Sequence, residues 1–90
     1  MTNLDQATIN SLDGELIVET NGGYIDDEAR GWILLNGRPE EFPLLQPYQN
    51  YSLVLNDGRS AEIRVTETRH TLMVVSHHTE LHFRLVNDLA

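Results

Sequence analysis

Tyr51-Ser52-Leu53-Val54-Leu55-Asn56-Asp57-Gly58-Arg59-Ser60-Ala61-Glu62-Ile63-Arg64-Val65 is the stretch whose reading decides the fold. Tyr51, Leu53 and Leu55 alternate with Ser52, Val54 and Asn56, and Ala61, Ile63 and Val65 alternate with Glu62 and Arg64. A period of two belongs to a strand that turns one face inward. The turn between the two runs then fixes their register. A two-residue turn at Asp57-Gly58 would set Leu53 against Glu62 and Tyr51 against Arg64, mixing apolar and charged groups on one face. A three-residue loop, Asn56-Asp57-Gly58, sets Leu53 against Ala61 and Tyr51 against Ile63. It also gives Gly58 the left-handed position of a type I turn followed by a bulge. A slip of one residue would turn a whole apolar face into water, so the three-residue loop is the expected one.

Outward from this hairpin the text stays β-like. Leu81, Phe83 and Leu85 alternate with Glu80, His82 and Arg84, as in a half-buried strand. Thr71 to Val75 is apolar or β-branched on both parities, which predicts a central strand or one covered on both sides. Gly14 to Thr20 reads as a strand that meets the turn residues Asn21-Gly22-Gly23. Trp32 to Leu35 is an apolar run closed by Asn36-Gly37, with Trp32 expected as a core anchor. Asp26 to Arg30 could open one helical turn, but Gly31 stops it. Pro39, Pro43 and Pro47 mark the stretch from Arg38 to Pro47 as a crossover loop or a ragged edge, because proline donates no ladder hydrogen bond, and the loop over Arg38–Asn50 is a candidate surface. Six or seven short strands at this spacing predict an all-β fold, a small antiparallel barrel or sandwich with little or no helix. One domain over residues 1–90 is expected, frayed at about 1–5 and 87–90.

Composition excludes whole classes of chemistry. The chain has 90 residues and no cysteine, so disulfides, thiolate nucleophiles and thiolate metal sites are ruled out. It has no lysine either, since all six basic residues are arginines, which removes Walker-type phosphate loops and Schiff-base catalysis. None of the four serines sits in a Gly-x-Ser-x-Gly elbow. The longest aliphatic run, Leu72-Met73-Val74-Val75, is far short of a bilayer span, and no signal segment is legible at the start, so the expected setting is cytoplasmic.

Fourteen acids against six arginines give a net charge of −8, which argues against direct nucleic-acid binding. Residues 1–45 hold nine acids and two arginines, so nearly all of the excess lies in the first half. Its densest points are Asp26-Asp27-Glu28 and Glu40-Glu41, and Tyr48 stands near them on the proline-rich loop. Acidic clusters beside an exposed aromatic suit a non-enzymatic module that binds a protein partner, most naturally a basic one. Acids spaced like phosphates on one face would instead suit a nucleic-acid-mimicking inhibitor. A third reading is metal chemistry at His78, Glu80 and His82, which share one strand face. Their span of about 13 Å and the neighbouring Arg84 oppose it. No cofactor is expected. An exposed edge strand could pair two copies into a homodimer, with the strand from His77 to Arg84 as the expected edge.

Overall fold

The computed structural model describes residues 2–20 and 22–90. Eight strands follow one another: β1 (Thr2–Asn3), β2 (Ala7–Asn10), β3 (Leu16–Glu19), β4 (Gly23–Ile25), β5 (Arg30–Asn36), β6 (Asn50–Leu55), β7 (Ser60–Met73) and β8 (Ser76–Leu85). They form a single antiparallel sheet in the order β1-β4-β5-β8-β7-β6-β2-β3. The count exceeds the expected six or seven because strands of two or three residues, such as β1 and β4, are too short to show a period. Asn21, part of the expected turn, lies outside the described residues.

The deciding hairpin takes the expected register. Leu53 pairs with Ala61 and Tyr51 with Ile63. Gly58 has φ +93, and Leu55 N–H bonds Arg59 O at 2.8 Å across the loop. Positive φ is a conformation that glycine adopts without a Cβ penalty.

Two short links dictate the curl of the sheet. Leu4-Asp5-Gln6 joins β1, at one end of the strand order, to β2 near the other, and residues 20–22 likewise join β3 to β4. So few residues reach at most roughly 15 Å, so the two ends of the sheet must approach each other. The result is a half-barrel whose concave side holds Ile9, Ile33, Leu35, Leu53, Ile63, Val65, Leu81 and Phe83, with Leu4 buried across the seam. Full burial of one such side chain contributes about 1.5–3 kcal/mol. Among the described residues no helix is long and apolar enough to cross a membrane.

β7 is the spine. Its register against β8 shifts between Val65 and Glu67, so Thr66 is an extra, unpaired residue. Below this bulge, Ala61, Ile63 and Val65 face inward and β6 flanks the strand. Above it the inward parity changes: Thr68 pairs with buried Leu81 and His70 with buried Thr79, while Glu67, Arg69 and Thr71 face outward.

Three expectations need correction. Thr71 to Val75 is neither central nor covered, because Val74-Val75 is the apex of the β7–β8 hairpin, with Val74 94% and Val75 84% exposed. The strand from His77 to Arg84 is not an edge; β8 lies between β5 and β7. Trp32 is not in the core, since β5 turns Gly31, Ile33 and Leu35 inward and leaves Trp32 on the convex face, edge-on to Tyr24 at 5.5 Å. Toward the chain ends, Thr2 and Asn3 pair with β4, Leu4 is buried, and Ala90 exchanges two backbone hydrogen bonds with Ser60; Met1 lies outside the described residues.

Candidate functional site

The two acidic clusters sit at opposite ends of β5. Asp26-Asp27-Glu28 forms the β4–β5 turn, and Glu40-Glu41 lies in a 3-10 turn over Pro39–Glu41 beyond the far end of the strand. Much of this charge is engaged locally. Asp26 Oδ1 accepts the N–H groups of Glu28 and Arg30 at 2.8 and 3.1 Å. These bonds, that of Arg30 first, hold the Asp26 carboxyl below the ordinary carboxylate range. Glu28 pairs with Arg30, and Glu41 Oε2 accepts the Arg38 N–H at 2.6 Å. Acids placed in this way shape turns, and they do not form one continuous phosphate-like face.

The crossover loop runs from Gly37 to Gln49, as its prolines predict. Leu45 anchors it in the core, and the Tyr51 hydroxyl donates to Leu44 O. Tyr48 is 68% exposed at φ +67, and its N–H bonds Val65 O at 2.7 Å, which places it at the head of β6. Trp32 lies about three strand spacings away, roughly 14 Å, so the two aromatics do not form one site.

His78, Glu80 and His82 do share the convex face of β8. His82 Nε2 lies 3.3 Å from Glu80 Oε1, within ion-pair reach but off the line of a hydrogen bond. His78 turns to Ser76 O instead. Among the described residues no group of three or more His, Asp or Glu converges closely enough to hold a metal ion. The close histidine pair is a different one. His70 Nε2 lies 2.8 Å from His77 Nδ1 with the rings stacked, and Arg38 Nη2 lies 2.9 Å from His77 Nε2.

Arg38 can only donate, so His77 accepts at Nε2 and its Nδ1–H donates to His70. Desolvation first, then Arg38 and His70, push the His77 pKa below the ordinary histidine range, while Glu41 and Glu40 pull weakly the other way. A depressed folded-state value means that the unfolded chain takes up the proton first as pH falls. The stability His77 contributes is therefore complete above the ordinary histidine pKa and is lost as pH drops through the depressed one. Thermal melts at stepped pH should show Tm falling across that window. His77→Gln, which keeps an acceptor and a donor but does not titrate, should flatten the fall.

Two features were missed by the sequence reading. Arg30, Arg84 and Arg64 stand in one cross-strand row on β5, β8 and β7, and the spacing of these residues along the chain gives no hint of it. The other is the hairpin apex. Val74 holds φ +58, a conformation that is costly for a β-branched residue. Val74→Gly should therefore raise stability by about 0.5–1 kcal/mol, seen as a higher urea midpoint.

Charge divides along the molecule. The end formed by the distal β7–β8 hairpin and the Arg38–Glu41 segment carries Glu40, Glu41, Glu67 and Glu80 against Arg38 and Arg69, a net −2; the rest of the body carries −6. On that body β3 is, among the described residues, a free edge, and Leu16 is 59% exposed on it. Asp13 and Glu15 precede the strand and Glu19 ends it. Beside it, a depression of about 420 Å³ is lined by Asp5, Gln6, Thr8, Glu19 and Thr20. No family model matches the chain, and neither a characterised protein nor a solved structure is significantly similar to it.

Proposed function

We propose that this protein is a small non-catalytic interaction module, cytoplasmic in setting, whose acidic body receives a basic segment of a protein partner. The observation that carries the reading is the acid-rimmed free edge of β3. A sheet edge offers unpaired backbone groups to an extended peptide, and flanking carboxylates select positive side chains. Asp26-Asp27-Glu28 and Glu40-Glu41 add to the long-range field that steers a cation toward the body, although their nearest contacts are their own turns. The nucleic-acid-mimic reading draws less support, because the clusters are split between the two ends of β5.

The test is titration of a synthetic extended peptide that alternates arginine and valine, at several salt concentrations. Screening should weaken its binding by about tenfold or more between low and high salt. Glu15→Lys together with Glu19→Lys should weaken it comparably at low salt. Affinity that is flat with salt and untouched by the double substitution would refute the reading.

A further inference from the structure

The distal half of β7 is a further open edge, distinct from the two ends of the strand order at β1 and β3. β6 follows β7 only as far as Val65, whose N–H bonds Gln49 O at 3.0 Å and whose C=O accepts from Tyr48. From Glu67 to Met73 the strand has β8 on one side, and among the described residues nothing bonds its backbone on the other. The polarity of that edge can be read from the turn. Gly37 N–H donates to His77 O at 3.0 Å, so His77 spends its backbone on the β5 side. Leu72, opposite His77, therefore turns its own N–H and C=O away from β8. Backbone groups alternate along a strand, so Thr68, His70 and Leu72 all present N–H and C=O to the open side.

We infer that this edge pairs antiparallel with the same edge of a second copy of the chain, about a two-fold axis at His70. In that register His70 meets His70 of the other copy, and Thr68 meets Leu72 in both directions. Every outward N–H then finds a C=O, as an isologous interface requires. On the convex face Glu67 comes opposite Met73 and Arg69 opposite Thr71, so no carboxylate faces a carboxylate and no guanidinium faces a guanidinium. The pairing stops where β6 of the other copy begins, so neither strand is obstructed.

The register also accounts for the apolar apex. Val74 and Val75 reach the level of Thr66 in the second copy, where the exposed Tyr48 heads β6. Two apolar surfaces that a lone protomer leaves in water thus cover each other. The pairing also uses the end of the molecule that carries only −2 of the net charge, so the acidic bodies stay apart.

The absence of cysteine makes a clean test possible. Facing residues of a hydrogen-bonded antiparallel pair have Cα atoms about 5.5 Å apart, within disulfide reach. His70→Cys should oxidise to a covalent dimer, while Leu16→Cys, on the β3 edge, should form no cross-link and run as a single chain under denaturing, non-reducing conditions. By sedimentation equilibrium the unaltered chain should run at twice its 10.2 kDa mass. His70→Pro removes one outward N–H and leaves the β8 ladder intact, so it should run at the single-chain mass with an unchanged circular dichroism spectrum. Glu15→Lys with Glu19→Lys should leave the dimer intact, which separates this inference from the basic-partner reading. A monomeric unaltered chain, a dimer that survives His70→Pro, or a His70→Cys that fails to cross-link would each overturn it.

Discussion

Gly23→Ala is expected to cost about 3 kcal/mol or more, enough to lower Tm by roughly 12–24 °C in a domain of this size. A Cβ at Gly23 would lie 2.1 Å from Trp32 O and 2.8 Å from Ile33 Cα. Both are backbone atoms of the adjacent strand, so no rotamer change relieves the overlap and β4 must move away from β5. The residue's φ of +153 leaves no easier conformation for an L side chain. Displacing β4 would also strain the Leu4 N–H bond to Gly23 O, at 2.9 Å, which holds the seam residue Leu4 in the core. Thermal melts followed by circular dichroism measure the effect. Gly14→Ala serves as the comparison, because it has positive φ but open space around the new Cβ, and should cost only about 1 kcal/mol. Equal losses at the two sites would show that close approach at Gly23 is not what matters.

The parts of the fold legible in the sequence are those where one face alternates without interruption and a turn residue pins the register. β6, the first half of β7, and β8 are of that kind, and Gly58 settled a choice of one residue that decided every side chain's face. The misreadings have local physical causes. Trp32 belongs to a strand whose inward parity starts at Gly31, and glycine gives no apolar signal. Leu72-Met73-Val74-Val75 has the composition of a buried strand, yet it is the exposed end of β7 and a two-residue apex, Val74-Val75, on a hairpin that outruns its neighbours. The acidic clusters flank Trp32–Leu35 in the chain, so their separation to opposite ends of β5 was legible; that β5 lies between β4 and β8 was not. The acidic flanks of Leu16–Glu19 were visible. What made them a candidate site was the position of β3 at the edge of the sheet.

Deleting Arg64 should be far more damaging than deleting Thr66, and the reason is the same parity rule. Thr66 is the spare residue of the bulge: Val65 lies opposite Phe83 and Glu67 opposite His82. A chain without it alternates regularly, with Ala61, Ile63 and Val65 still inward below and Thr68 and His70 inward above. Losing Arg64 leaves no such escape. If β7 keeps its register below the gap, Val65 takes the outward place opposite Arg84 and Thr66 the inward one opposite Phe83; if it keeps the register above, Ile63 turns outward instead. Either outcome moves into water a side chain that has no exposed surface. The loss should be at least about 3 kcal/mol in urea unfolding, with poor recovery of folded protein. Deleting Thr66 removes only an exposed side chain and an unpaired backbone unit, so its midpoint should move by no more than about 1 kcal/mol. A Thr66 deletion as damaging as the Arg64 deletion would mean that Thr66 is not a spare residue, and the inward assignments above the bulge would have to be abandoned, together with the outward backbone groups at Thr68, His70 and Leu72.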